Sequence, residues 1–195
     1  MKRTFAATAV IAASMFGAAS AQTTGTEVQR NSNQQQRIEQ GLQSGSLSTG
    51  EAAKLERGET KVEKMEANAN KDGNLSPAEK ARIQKAQNKE SGAIARAKTN
   101  NVTGNPNSAS SQRMQADVQR NVNQQNRIEQ GVQSGALTTH ETAKLERGQS
   151  HVTAAEARAG ANGHVGAAKQ KGVQARENHQ SKRIFKEKHD AQKAS

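Results

Sequence analysis

The chain has 195 residues, a formal charge of +11 at neutral pH, a mean hydropathy of −0.98, and no Cys, Trp or Tyr. The missing cysteines exclude disulfide staples and a thiolate nucleophile. Only 31% of residues are apolar, which leaves little to line a substrate pocket and places the chain near the border between folded and disordered proteins.

Met1 to Ala21 reads as a secretory leader. Lys2 and Arg3 supply its cations, Thr4 to Ala18 its apolar stretch, and Ala19-Ser20-Ala21 a small-residue cleavage site. The apolar stretch falls short of the roughly 20 residues that span a bilayer. The expectation is a periplasmic or secreted protein cleaved after Ala21, with no transmembrane segment in the mature chain. Cleavage would leave a charge of +9 and Phe185 as the only aromatic residue.

The remainder repeats itself at an offset of 90 residues without a gap. Val28-Gln29-Arg30-Asn31 returns as Val118-Gln119-Arg120-Asn121, and Lys54-Leu55-Glu56-Arg57-Gly58 as Lys144-Leu145-Glu146-Arg147-Gly148; 24 of the 31 positions from Val28 to Gly58 are identical. One copy can therefore be used to interrogate the other. In copy one the pattern predicts helices over about 27–43, 49–69 and 77–97, and in copy two over about 117–133, 139–159 and 168–190. Two capping boxes, Ser48–Glu51 and Ser76–Glu79, open the second and third helices of copy one. Copy two keeps the first as Thr138–Glu141 and replaces the second by Gly166-Ala167-Ala168-Lys169.

Thr99 to Arg113 reads as a linker because of its Asn/Gly/Pro/Ser cluster. The expected fold is all-α: two tandem three-helix units, 22–98 and 114–195, joined by a flexible linker over 99–113, and partly disordered. The predicted core of copy one is Val28, Ile38, Leu42, Leu47, Leu55, Val62, Met65, Leu75, Ile83 and Ile94. So few large apolar residues imply marginal stability, with a metal, a partner or self-association making up the deficit.

The segment Asn68-Ala69-Asn70-Lys71-Asp72-Gly73-Asn74-Leu75-Ser76-Pro77-Ala78-Glu79 has oxygen donors around a central glycine and a closing carboxylate. A hard cation needs several such oxygens folded around it. The phrase Gly-x-Leu-Ser-x-x-Glu also occurs at Gly45–Glu51, and the longer loop resembles an EF-hand calcium loop. That resemblance implies paired helix-loop-helix elements and a Ca²⁺ ion held by Asn68, Asn70, Asp72, Asn74, Ser76 and Glu79, with Leu75 pairing across to Leu47 of a second loop. The family normally opens its loop with Asp, where this chain has Asn68. Only Asp72 and Glu79 carry charge, so the implied affinity is weak, about 10⁻⁴–10⁻³ M or poorer. Three other loops, Gln40–Glu51, Gln130–Glu141 and Arg158–Lys169, are vestigial, and the last has Lys where the closing carboxylate belongs. The wider layout is similar to a group of small exported proteobacterial proteins, a resemblance that carries no activity with it.

Lys169 to Lys193 holds eight cations against three anions. Lys169, Lys171, Arg176, Lys182, Arg183, Lys186 and Lys188 form a basic helix suited to an anionic surface or polymer. One aromatic residue makes no base-stacking platform, so specific nucleic-acid recognition is not expected. The five histidines all lie in copy two, and no pair has the three- or four-residue spacing of a helical chelate. No motif pairs a nucleophile with a base, which directs the reading to an accessory binding protein rather than an enzyme.

Overall fold

The computed structural model describes residues 15–192, with side chains from Thr24 onward. The leader residues 1–14 and Lys193 lie outside the described residues. The protein is all-helical: α1 Met15–Ser44, α2 Thr49–Ala69, α3 Pro77–Thr99, α4 Ala109–Gln133, α5 Thr139–Ala159 and α6 Ala167–Lys188. None of these helices is long and apolar enough to cross a membrane.

Local chemistry accounts for the helix boundaries. Ser48, Ser76 and Thr138 each accept a hydrogen bond from the backbone N–H three residues on, and the Glu at that position accepts one in return from the capping residue's own N–H. Pro77 begins α3 where a missing N–H is harmless. Gly45, Gly73, Gly135 and Gly163 lie at φ between 69° and 79°, one in each helix-helix turn within a copy, a left-handed conformation that favours glycine.

The helices of the two copies pack on their counterparts. α1 runs antiparallel to α4, and α2 antiparallel to α5, with α3 and α6 on the flanks. The pairing is reciprocal. Gln115 of α4 reaches the Leu42 carbonyl, while Gly25, the counterpart of Gln115, lies against Val132, the counterpart of Leu42. This is the isologous pattern of a two-fold dimer, formed within one chain. Near the pseudo-axis, the Thr153 hydroxyl donates to Glu63 Oε1 at 3.0 Å, joining a residue to its own counterpart position.

The turns also pair between copies. Leu47 shares an apolar cluster with Val165, and a Cβ on Gly50 would lie 3.5 Å from the Gly163 Cα. His140 Nδ1 lies 2.8 Å from the Lys71 carbonyl, joining the other two turns. Leu75 is half-buried and outside the Leu47 cluster, so the expected Leu47–Leu75 pairing is replaced by pairing across copies. The connection between the copies is docked: Gly104 N–H donates to the Gly45 carbonyl at 2.8 Å, and a Cβ on Gly104 would collide with the Leu47 carbonyl. α4 starts at Ala109, inside the stretch read as linker.

Of the ten predicted core residues of copy one, all but Met65 and Leu75 are buried. Much of the interior, however, is polar. The Gln/Asn-rich faces of α1 and α4 donate to glutamates of α2 and α5. Asn31 binds Glu66, Gln35 binds Glu56 at 2.9 Å, and Asn121 binds Glu156 at 3.1 Å. Gln87 of α3 donates to Glu66, to Asn31 and to the Glu27 carbonyl, all within 3.1 Å.

Candidate functional site

The loop between α2 and α3 distributes its six donors rather than gathering them all. Asn68 is exposed on the last turn of α2. Asn70 is buried and turned toward α1, accepting from the Thr24 hydroxyl at 3.2 Å and donating to the Glu66 carbonyl at 3.1 Å. Asp72 Oδ1 accepts from Asn74 N–H at 3.1 Å, and the Asn74 side chain is exposed. Ser76 and Glu79 bind each other through the capping box. Those Ser76 hydrogen bonds hold the Glu79 carboxyl below its usual range. Asp72 and Glu79 are close enough for their charges to interact.

The corresponding loop of copy two holds a cation of its own. The Lys169 ammonium, at the position of Glu79, donates to the Ala159 carbonyl at 3.0 Å, to Asn162 Oδ1 at 3.2 Å and to the His164 carbonyl at 3.3 Å. The counterparts of these three in copy one are the Ala69 carbonyl, the Asp72 side chain and the Asn74 carbonyl. The two turns share one backbone form, with φ of 79° at Gly73 and 77° at Gly163.

Among the described residues, one group of three carboxylates lies within metal-binding reach: Glu141, Glu187 and Asp190, with ligand atoms all within 4.8 Å of one another. Glu141 closes the vestigial Gln130–Glu141 loop, while the other two come from the end of α6 and just beyond. The sequence signals Glu141 only as a cap, and convergence with α6 is a tertiary fact.

The larger electrostatic feature also escapes sequence reading. Twelve of the 18 carboxylates are buried, and no described Lys or Arg is. Desolvation raises Glu27, Glu90 and Asp117 to about 7, and Glu56, Glu146 and Glu177 to about 8. Glu59, Glu63, Glu66 and Glu156 are raised well above the ordinary value by burial and then by neighbouring carboxylates. The one ion pair among the described residues, Arg120 to Glu177 at 3.2 Å, leaves the others without a cation in contact.

The basic residues of α6 have three roles. Lys171, Lys182 and Lys186 are exposed. Arg176 and Arg183 donate to the backbone carbonyls of Gly172 and Lys144 at 2.7 and 3.3 Å. Lys169 closes its own loop, and half-buried Lys188 has its pKa lowered by desolvation and then by Arg127. Compared with known protein families, curated proteins and solved structures, the chain matches none.

Proposed function

We propose that this is an exported, non-catalytic accessory protein that binds an anionic polymer or surface through the cationic face led by Lys171, Lys182 and Lys186. One observation carries the reading: the carboxylates are sequestered while the cations stay outside. With burial raising the pKa of most buried carboxyls toward or above neutral pH, the mature exterior is more basic than its formal charge of +9 implies. An exterior of one sign accelerates encounters with the opposite sign and loses that advantage as salt screens it.

The test is retention on heparin at pH 6.5 across a salt gradient. Wild type should elute late, and the double variant Lys182→Glu/Lys186→Glu much earlier with its helicity intact. Removing 169–195 altogether would not serve, because α6 buries Val173 and Ile184. Wild type in the flow-through, or variant and wild type eluting together, would refute the reading.

A second activity, weak binding of a divalent cation such as Ca²⁺ by the 68–79 loop, is supported by the Lys169 ammonium in the matching turn. The same turn geometry, with Asp72 and Glu79 in place of Asn162 and Lys169, offers oxygens to an external ion instead. Calorimetric titration with Ca²⁺ should give a weak 1:1 event, lost in Glu79→Gln and in Asp72→Asn. An isotherm unchanged by both substitutions would place any bound ion elsewhere, with the Glu141–Glu187–Asp190 group next to be tested.

A further inference from the structure

Copy one contains a recess that copy two does not reproduce chemically. Between α2 and α3 lies a half-open cavity of about 450 Å³. Gly58, Val62, Met65 and Ala86 give it an apolar floor, and Lys61, Arg82, Lys85 and Lys89 stand around it. Met65 is one of the few exposed large apolar side chains, at 37%. None of the four cations makes a hydrogen bond or contact ion pair with a described residue, although the charges of Lys61 and Lys89 are felt by the Glu90 carboxyl and that of Arg82 by Glu79.

The positions 90 residues on are His151, Gly172, Ala175 and His179, so the matching face of copy two has no lysine or arginine at these places. Copy two has a smaller recess between α5 and α6, about 210 Å³, whose lining includes Arg158, Lys169 and Arg176, but there Lys169 and Arg176 are engaged with backbone carbonyls. Gly58 lets the Glu90 carboxyl lie directly against the α2 backbone at the edge of the cavity, because a Cβ there would collide with it. Glu90 is buried, and its Oε1 has no hydrogen-bond partner.

An apolar floor inside a ring of unpaired cations complements one ligand form: a hydrocarbon body ending in a negative group. We propose that the α2–α3 recess binds a single anionic amphiphile of the long-chain carboxylate class, its chain against Val62, Met65 and Ala86 and its headgroup among Lys61, Arg82, Lys85 and Lys89. The size lies within the range of small-molecule sites. Burial of each methylene favours the chain, and the cations select the sign of the headgroup. Burial raises Glu90 to about 7, so below that pH it is mostly neutral and presents a carboxyl proton to the headgroup rather than a repelling charge.

The site is separate from α6, so the two binding activities can be told apart. Laurate, below its critical micelle concentration, is the probe, followed by calorimetry at pH 6.5. The expected result is saturable binding of one laurate per chain. Dodecyltrimethylammonium, with the same chain and the opposite charge, should bind at least tenfold more weakly. Met65→Asp and Lys85→Glu/Lys89→Glu change exposed residues, and each should lower laurate affinity at least tenfold with helicity unchanged. Lys182→Glu/Lys186→Glu on α6 should leave laurate binding intact even where it abolishes heparin retention. Non-saturable uptake, equal binding of the cationic amphiphile, or wild-type affinity in both α2–α3 variants would overturn the proposal.

Discussion

Raising the pH should loosen this bundle, and the carboxylate interior fixes both the sign and the window. An unfolded Glu releases its proton near 4.5, whereas Glu27 and Glu90 hold theirs to about 7 and Glu56 and Glu146 to about 8. Above about 4.5 the folded state binds more protons than the unfolded one, so stability declines as pH rises until the last of the buried carboxyls has ionised. Each fully protonated group contributes a slope of about 1.4 kcal/mol per pH unit. If only three act at full strength near pH 6, stability falls by about 4 kcal/mol per unit, or roughly 10 °C in melting temperature for a chain of this size. Such a slope would exhaust an ordinary folding free energy of about 5–15 kcal/mol within a few pH units. The capping glutamates Glu51 and Glu79 act with the opposite sign: hydrogen bonds lower both, so their contribution is lost as pH falls below 4.5. Stability should therefore peak near pH 4.5–5. The assay is thermal unfolding followed by circular dichroism from pH 3.5 to 9. Glu63→Gln, which keeps the shape and removes the charge, should flatten the curve and raise the melting temperature at pH 8. A melting temperature constant or rising from pH 5 to 8 would refute this account of the interior.

Three further outcomes follow from single contacts. Glu177 occupies the place of Gln87, whose amide donates to the Asn31 side chain and the Glu27 carbonyl; Glu177→Gln should restore such donors and raise stability at pH 8 by about 1–3 kcal/mol, read from urea midpoints. Gly104→Ala drives a Cβ into the Leu47 carbonyl and should cost about 1–3 kcal/mol, measured the same way, while Gly73→Ala meets no neighbouring atom and pays only for its positive φ. Ser48→Ala removes the cap of α2 and should cost about 1 kcal/mol in the same titration, with Thr138→Ala matching it at α5.

Helix positions were legible in the sequence because their signals are local. Ser48, Ser76, Thr138 and Pro77 each act within one turn, and the starts of α2, α3 and α5 fall where those residues place them. The apolar period likewise identifies Ile38, Leu55, Val62 and Ile83 as core. Partner choice was not legible. Each copy offers the same faces, so a pattern read along one copy does not distinguish α2 packing within its copy from α2 packing on α5. The buried glutamates were hidden for a related reason. Glu56, Glu59, Glu63 and Glu66 look like a solvated charged face until the Gln and Asn of α1 and α4 are seen opposite them. At the 68–79 loop, spacing identified the turn and its glycine but not the direction of Asn70, which tertiary contact with Thr24 decides.

The two-fold arrangement also explains where the copies differ. A strict repeat would place each glutamate of α2 opposite the same set on α5, and near the axis like charges would meet in a low-dielectric interior, where their repulsion is strongest. Two of the differences between α2 and α5 fall there. Glu59 and Glu63 of α2 become Gln149 and Thr153 of α5, while the flanking pairs Glu56/Glu146 and Glu66/Glu156 are kept. Thr153 turns the central position from a repulsion into a hydrogen bond to Glu63, and Gln125 of α4 adds a second donor at 3.2 Å. Gln149 in turn donates to the Asn121 side-chain oxygen, whose own amide binds Thr153 and Glu156. Copy two thus supplies the donors to Glu63, while Glu56 and Glu66 take theirs from Gln35, Asn31 and Gln87 of their own copy. The interior is complementary between copies rather than duplicated, and this asymmetry lets so many carboxyl groups share one core with so few cations in contact.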